Sequence, residues 1–434
     1  MDKNFEEKII GYRREFHKYP ETSWKEFRTT ARIAEILNSL GYKKIKMGLE
    51  VVDSNIIIDP IKLNKEEIQI EMKRAIQQGA KEEWVNKTSG YPGLVAELDT
   101  GIDGPVTAFR FDIDALSNYE IYEKGHRPYD EGFASVNESS VHACGHDGHT
   151  AIGLGLAEKV IGNKEQFKGI IKFIFQPSEE AGPGASSMVQ KGVVDTVDYL
   201  FAMHLCLSHQ GKPLPSNTLA GGCSDFLSIK GYDVYFEGKS AHPCGASQEG
   251  KNALLAACTA ALNIHSIAPH EEGLFRVNVG EIHAGVGRNT IAPNAHIKLE
   301  VRGENDNITE YGKTRILTIL EAAAKMYDLK YELVDYGGTP SGNSDTHMIE
   351  LVKEAAENVE WFKEIYDYGN VGGSDDATVM MKRVQERGGG AVYFGIGADS
   401  PQPLHNCKFD FDENALIATI DLCINIIKKI NGKR

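Results

Sequence analysis

The sequence predicts an α/β fold: a mostly parallel sheet with helices on both faces, and an inserted ferredoxin-like domain. Three observations predict it. Four short apolar runs each lead to an acid or a histidine, helical stretches separate them, and a segment of different rhythm interrupts the pattern. Unbroken apolar strands that alternate with helices are typical of parallel sheets buried on both faces. The length of 434 residues favours two domains over one.

The first elements along the chain are helices. The stretch "FEEKIIGYRREFHKYPETSWKEFRTTARIAEILNSLGY" predicts two helices broken at Pro20. Residues 61–87 predict one more helix, polar enough to lie on the surface.

Four predicted strands then point to one place. Ligands of parallel sheets bind beyond the carboxyl ends of the strands. The stretch "HACGHDGH", residues 142–149, precedes a helix of its own and can lie at the same edge. The four strands are "GPVTAFRFDID", which ends in Asp112 and Asp114, "GIIKFIFQPSEE", which ends in Glu179 and Glu180, "VDYLFAMHL", which holds His204, and "GGGAVYFGIG", which leads to His405.

The segment between the third and fourth strands is predicted to be a separate domain. Its patterns predict the order β-α-β-β-α-β, with an amphipathic second helix over "ITEYGKTRILTILEAAAKMYD". The strand pattern of the first domain resumes afterwards. We therefore predict a discontinuous catalytic domain at 1–222 and 338–434, and an inserted domain at 223–337.

Charge and cysteine content exclude several classes of protein. A net charge of −15 argues against nucleic acid and anionic membranes as partners, because both would require a basic face. No apolar run reaches membrane-spanning length, and the first residues do not resemble a signal peptide. Seven scattered cysteines predict reduced thiols and a cytoplasmic protein.

The histidine-rich stretch predicts a metal centre. Thiolate and imidazole, here Cys144 and His146, suit Zn²⁺ and other first-row divalent ions. Glu180, His204 and His405 bring the predicted ligands to five, which fits two metal ions better than one. Cys144 is the candidate bridge, because a thiolate can span two ions.

Such a pair of ions predicts hydrolysis of an amide. Two metals polarise a carbonyl and generate hydroxide from water, and Glu179 is the candidate general base. The tetrahedral oxyanion also needs a donor. Two glycine-flanked loops of the inserted domain offer His242, Arg288 and Asn289 for it.

Structural roles are the alternatives for each residue. Cys144 and His146 alone could be a buried thiol and a core histidine, and the metal interpretation depends on the whole set. Arg288 could clamp a substrate carboxylate or form a salt bridge in a dimer. Asp112 and Asp114 could orient a ligand histidine or cap the next segment. We expect helix capping from four other residues: Asp147, His149, Asp375 and Asp376.

Several long motifs resemble a known family. They are "HACGHDGHTAIGLGLA", "FQPSEEAGPGASSMV", "GVVDTVDYLFAMHL", "GRNTIAPNA" and "HNCKFDFDE". They resemble the amidohydrolase branch of the zinc metallopeptidase family, which contains aminoacylases, hippurate hydrolase and the auxin-conjugate hydrolases. The match runs nearly end to end. Ser117 and Ser178 depart from commoner residues of this branch, and Cys407 is unusual so close to His405.

The resemblance implies a full set of functional assignments. It implies two Zn²⁺ or Mn²⁺ ions on the five ligands above, Glu179 as base, and an inserted lid and dimerisation domain that supplies His242 and Asn289. The substrate it implies is an N-acyl amino acid, specifically p-aminobenzoyl-glutamate, cleaved to p-aminobenzoate and glutamate. It implies a homodimer, or a heterodimer with a homologous second subunit. The alternatives are another acyl-amino acid as substrate, or a non-catalytic role in such a complex.

Overall fold

The computed structural model describes residues 3–57 and 62–433. It divides into two compact units, Met1–Ser224 with Asn343–Arg434, and Asp225–Gly342. The helices are α1 (Lys3–Lys18), α2 (Phe27–Leu40), α3 (Lys65–Gln77), α4 (Glu82–Lys87), α5 (Arg127–Asp130), α6 (His146–Gly162), α7 (Gly184–Gln190), α8 (Ala253–His265), α9 (Asp306–Met326), α10 (Thr346–Ala356), α11 (Ala377–Glu386) and α12 (Asn414–Asn431). Short 3₁₀ turns occupy Gly48–Glu50, Ser54–Ile56, Lys164–Gln166 and Ser247–Glu249.

The strands form three sheets. They are β1 (Lys44–Met47), β2 (Leu94–Asp99), β3 (Val106–Asp112), β4 (Ile170–Gln176), β5 (Tyr199–Leu205), β6 (Ser208–His209), β7 (Lys212–Pro213), β8 (Thr218–Cys223), β9 (Ser228–Glu237), β10 (Phe275–Ala284), β11 (Asn294–Gly303), β12 (Lys330–Gly337), β13 (Glu364–Gly369) and β14 (Gly390–Ile396).

The first unit is built on an eight-stranded mixed sheet, in the order β1-β2-β4-β3-β5-β14-β8-β13. Its four central strands, β4, β3, β5 and β14, are parallel to their neighbours within this group. They are the four strands that the apolar runs predict. Each is buried along almost its whole length, as expected for a central strand.

The outer strands differ from the prediction of a mostly parallel sheet. Strands β1 and β2 are antiparallel to their neighbours, and β8 is antiparallel to β14. These strands lack the signal on which the prediction relied. β1 alternates polar and apolar residues over a very short run, and β8, "TLAGGC", is rich in glycine although it is buried.

Helices cover both faces of this sheet. On one face α6 packs against β3 and β4, with α1, α2 and α12 packed on α6. On the other, α7 and α11 pack together, α7 against β4 and α11 against β5 and β14. Helix α6 is buried on nearly all sides, and Gly153 lets it approach the sheet. A Cβ atom there would lie 2.7 Å from ring carbons of Phe111 and Phe175.

The predicted helix over 61–87 is in fact two helices. Residue 61 lies outside the described residues. Helix α3 begins at an Asn64–Glu67 capping box, and α4 follows a break near Gly79, whose φ is +93°. A single glycine is a weak break signal in a helical pattern, so the sequence alone did not separate the two.

The second unit contains the order β9-α8-β10-β11-α9-β12. Its four strands form an antiparallel sheet in the order β10-β11-β9-β12, with both helices packed on it. Its core includes Ile316, Leu320 and Ala323 of α9. The predicted inserted segment 223–337 overlaps this unit.

No helix in the described part of the chain is both long and apolar enough to cross a membrane.

Candidate metal centre and active site

The ends of the central strands bring the predicted metal ligands of the first unit together. His204 is the penultimate residue of β5, and Glu180 follows β4 by four positions. His405 lies in the loop after β14, and its backbone N–H donates to the carbonyl of Ala143 at 2.7 Å. This bond fixes the His405 loop beside Cys144.

The turn before α6 presents two of the ligands. Helix α6 begins at His146, and its N-cap is Gly145 with a φ of +90°. That left-handed conformation is costly for other residues and free for glycine. Cys144 and His146 thus flank a sharp turn at the mouth of a buried helix, and both side chains are buried.

Two groups of ligand atoms meet at Cys144. Its Sγ lies 3.4 Å from Nε2 of His204. One group is Cys144, His146 and His204, the other is Cys144, Glu180 and His405, and within each group the ligand atoms lie within 4.8 Å of one another. The presence of Cys144 in both groups is what a bridging ligand requires.

The hydrogen bonds of the histidines leave the right nitrogens free. Nδ1 of His146 donates to the carbonyl of Asp114 at 2.9 Å, and Nδ1 of His204 donates to the carbonyl of Leu205 at 2.5 Å. In the neutral rings the lone pairs therefore lie on the Nε2 atoms, as metal-binding imidazoles require. Nε2 of His146 and Oε1 of Glu180 are buried without a hydrogen-bond partner. Such orphaned acceptors around a thiol fit a cation.

The pKa values of these groups agree with a site that needs positive charge. Burial and the carboxylates of Glu180 and Glu179 raise the pKa of the Cys144 thiol well above its usual range. Burial likewise raises the pKa of Glu180, to about 7. A bound cation would hold both groups in their ionised forms. Burial lowers the pKa of His204, so its imidazole is neutral and ready to bind.

Glu179 lies beside the ligands in a strongly acidic setting. It forms one acidic group with Asp375 and Asp376, and another with His146 and Glu180, each within 4.8 Å. Burial, then Asp375 and Glu180, raise the pKa of Glu179 well above its usual range. A carboxyl group with a raised pKa can accept a proton and release it again near neutral pH.

A buried arginine balances this acidic cluster. Arg110 on β3 contacts Asp112 at 2.5 Å, Asp376 at 2.9 Å and Asp375 at 3.1 Å, and its Nε donates to Gln176 at 2.8 Å. All of these groups are buried. The sequence alone did not indicate this role, because Asp375 and Asp376 are remote from Arg110 in the chain. The one available sequence signal for a buried ion pair was the charged Arg110 inside the apolar run "VTAFRF".

Asp114 and Asp112 contact the predicted ligands and do not cap helices. Oδ2 of Asp114 accepts the backbone N–H of Glu180 at 3.0 Å, and Oδ1 lies 3.4 Å from Nδ1 of His146. Oδ1 of Asp112 lies 3.7 Å from Nε2 of His146. Asp114 is thus placed to orient Glu180 and His146, whereas the hydrogen bonds of Asp112 go to Arg110 and His149.

The predicted capping role of His149 is wrong, whereas Oδ1 of Asp147 does accept one first-turn N–H of α6, that of Gly148, at 2.9 Å. Both residues are buried within the first turn of α6. Asp147 forms an ion pair with Arg13 at 2.8 Å. Nε2 of His149 accepts the N–H of Leu205 at 3.0 Å, so its Nδ1 carries the proton that it donates to Asp112 at 2.5 Å. His149 therefore has no free lone pair for a metal. Asp375 does accept the N–H of Ala377, at 2.8 Å, at the start of α11.

The motif "PETSWKEF" contributes a residue to which the sequence alone gave no role. Glu26 is fully buried, and its Oε1 accepts the backbone N–H of Ser178 at 2.7 Å. Ser178 has a φ of +53°, and its hydroxyl donates to the carbonyl of Gly182 at 3.1 Å. Glu26 thus holds the strained residue that precedes Glu179 and Glu180. Glu26 and Ser178 lie 152 positions apart, so no local pattern could have connected them.

The remaining site residues lie in exposed loops of the second unit. Nδ1 of His242 accepts the N–H groups of Cys244 and Gly245 at 3.2 and 3.0 Å. Its neutral ring therefore carries the proton on Nε2, as a hydrogen-bond donor. Arg288 and Asn289 are exposed in the turn between β10 and β11. Their roles stay predictions.

Comparisons with known proteins give consistent results. A family model described as peptidase family M20/M25/M40 matches residues 108–429. The chain is 42% identical over 417 residues to a p-aminobenzoyl-glutamate hydrolase subunit of Escherichia coli (strain K12), covering 95% of this chain and 94% of that one. It is 41% identical over 418 residues to indole-3-acetyl-aspartic acid hydrolase of Enterobacter agglomerans, covering 95% and 93%.

A solved structure is similar over the whole chain. The crystal structure of an aminobenzoyl-glutamate utilization protein from Klebsiella pneumoniae matches with a TM-score of 0.81 and 35% identity, and covers 100% of this chain and 98% of that one.

Proposed function

The chain belongs to peptidase family M20/M25/M40, and on this premise we propose that it is a metal-dependent amidohydrolase of N-acyl amino acids. The observation that carries the proposal is the cluster around Cys144. Nε2 of His146 and Oε1 of Glu180 are buried there without hydrogen-bond partners, and Glu179 lies beside them. That arrangement serves hydrolysis and has no evident structural purpose.

We assign two divalent ions to the five ligands Cys144, His146, Glu180, His204 and His405, with Cys144 shared. When bound, the ions would polarise the scissile carbonyl and lower the pKa of a water molecule. Zn²⁺ and Mn²⁺ both suit the mixed sulfur, nitrogen and oxygen donors.

Glu179 carries the protons of the reaction. Its raised pKa lets the carboxylate take a proton from the attacking water and hold it. The same carboxyl group then delivers that proton to the nitrogen of the leaving amino acid, and the carboxylate is regenerated. Asp114 keeps Nε2 of His146 directed at the site by accepting from Nδ1 through its backbone carbonyl.

We assign substrate contacts to the second unit, which we interpret as a lid and dimerisation domain. His242 and Asn289 would donate hydrogen bonds to the oxyanion or to the substrate, and His242 has the tautomer for it. Arg288 would bind the carboxylate of the leaving amino acid.

We take p-aminobenzoyl-glutamate, a breakdown product of folate, as the specific substrate. The enzyme would cleave it to p-aminobenzoate and glutamate so that the cell can use the products. The similarity to an enzyme named for this substrate supports it. The similarity to an indole-3-acetyl-aspartic acid hydrolase supports a second candidate, an aromatic acyl group on aspartate. We also expect a homodimer, or a complex with a homologous second subunit, since two relatives are named as one subunit of a hydrolase. A reducing cytoplasm would keep Cys144 available.

Hydrolysis by the purified chain tests the proposal. We expect the chain with Mn²⁺ or Zn²⁺ to release glutamate from p-aminobenzoyl-glutamate. Glu179→Gln should lower kcat by about 100-fold or more while the bound metal is retained. Glu165→Gln is a matched control, because the Glu165 side chain is 86% exposed in a short 3₁₀ turn.

Two outcomes would contradict the proposal. Turnover that survives Glu179→Gln would remove Glu179 as the base. A chain that binds two ions and hydrolyses no acyl-amino acid would support the alternative of a non-catalytic subunit.

A further inference from the structure

We propose that a second cavity in the first unit is the acyl pocket of this enzyme, and that it selects aromatic acyl groups. This inference rests on the proposed function and assigns a place to one half of the substrate. The cavity has a volume of about 550 Å³ and is lined by the segment after β5, by Val371 and by residues 398–404.

The cavity adjoins the metal centre. Four of the metal ligands and Glu179 line a smaller cavity of about 370 Å³. Leu207, Val371 and Leu404 line both cavities. For a substrate whose carbonyl lies at the metal centre, the larger cavity is therefore the neighbouring space for one of the two groups attached to the amide.

The chemistry of the walls decides which group enters. Most of the lining side chains are apolar, including Leu207, Leu214, Val371 and Ala398 together with the rings of four prolines, Pro213, Pro215, Pro401 and Pro403. Among the described residues, no lysine or arginine lines the cavity. A leaving glutamate would have to desolvate a carboxylate there without a cationic partner, which is unfavourable. An aromatic acyl group would instead bury apolar surface.

The walls are held in place by the fold. The N–H of Cys206 donates to the carbonyl of Ile396 at 2.9 Å, and the N–H of Leu214 donates to the carbonyl of Leu207 at 2.8 Å. Ser208 pairs with Asn370 in both directions. A preformed apolar cavity binds a flat ring without an ordering cost. Its size falls within the range of small-molecule sites, well above the needs of an acetyl group.

Relatives of this chain are named for substrates with the same kind of acyl group. One is named for p-aminobenzoyl and another for indole-3-acetyl, at nearly equal identity to this chain. Both are flat aromatic groups of different shape. A roomy and mainly apolar cavity accommodates either.

Ala398→Phe tests the proposal by filling the cavity. Ala398 is 3% exposed and lines only the larger of the two cavities. The variant and wild type are compared by kcat/KM on acetyl-, benzoyl-, p-aminobenzoyl- and indole-3-acetyl-glutamate. We expect wild type to prefer the aromatic acyl groups over acetyl, and the variant to lower that ratio about tenfold or more. Glu165→Phe adds the same ring at an exposed position of the first unit and should leave the ratio unchanged.

Several results would overturn the assignment. One is a wild type without aromatic preference, and another is a variant that slows all four substrates equally. The third result requires a second set of substrates, in which leucine replaces glutamate as the leaving amino acid. If the loss of kcat/KM in Ala398→Phe depends on this amino acid, the cavity holds the leaving group and not the acyl group.

A binding measurement separates this inference from the proposed function. Calorimetry on the metal-loaded chain measures the Kd of 4-aminobenzoate and indole-3-acetate, which carry the acyl groups alone. We expect Ala398→Phe to raise both Kd values about tenfold or more, whether or not any amide is hydrolysed. If wild type hydrolyses acyl-glutamates but Ala398→Phe weakens the binding of neither acid, the pocket assignment is wrong and the proposed function still stands.

Discussion

A buried histidine near the turn that precedes α6 should make the stability of the protein depend on pH. Nδ1 of His17 lies 2.8 Å from Asp147 and Nε2 lies 3.0 Å from Glu120, with no exposed surface on any of the three side chains. Burial and Arg13 lower the pKa of His17, but Asp147 and Glu120 outweigh them and raise it to about 9. The charged imidazolium therefore favours the folded state.

The size of the effect follows from the shift. A rise in pKa from 6.5 to about 9 corresponds to about 3 kcal/mol of folding free energy. Because the folded pKa is the higher one, this contribution is complete below pH 6.5. It is lost as the pH rises through 9.

The assay is urea unfolding of His17→Gln and wild type from pH 6 to pH 9, both with the same bound metal. The difference in unfolding free energy should shrink by about 3 kcal/mol over this range. His283→Gln is the control, since the side chain of His283 is 71% exposed. If the difference between His17→Gln and wild type is independent of pH, the reasoning about this buried cluster is wrong.

Substitutions at three further positions test the support of the site. Burial and Asp114 raise the pKa of Glu26 well above its usual range, so Glu26→Gln mimics the neutral carboxyl group and should keep kcat. Glu26→Leu leaves the buried N–H of Ser178 without an acceptor, which should lower the unfolding free energy by about 1–3 kcal/mol and also lower kcat. Equal kcat in the two Glu26 variants would contradict this role. Arg110→Met removes the cation from a buried acidic cluster and should destabilise the chain by about 3–5 kcal/mol in urea unfolding, whereas a neutral effect would mean that the acids are protonated. Gly153→Val should cost about 1–3 kcal/mol by overpacking, with metal content unchanged; a stable variant would show that α6 can shift.

The sequence predicted what depends on local pattern. The four central strands were recognisable because burial on both faces leaves an unbroken apolar run, and the predicted ligands at their ends do lie close together. The second unit was recognisable from alternating strands and the apolar face of α9.

Contacts between remote segments were beyond the sequence. Asp147 and His149 resemble caps because they lie in a first turn, and only the packing of α1 and β3 gives them other partners. The hydrogen bond between Glu26 and Ser178 likewise joins segments that are remote in the sequence. The directions of β1, β2 and β8 were not predictable because they depend on neighbouring strands and not on their own residues.

The central claim is a pair of metal ions that share Cys144. Anomalous diffraction from crystals of the chain loaded with Zn²⁺ or Mn²⁺ measures it directly. We expect two peaks in the first unit, one bound by His146 and the other by His405, with Sγ of Cys144 in contact with both. A single peak, or two ions that leave Cys144 unbound, would contradict this claim.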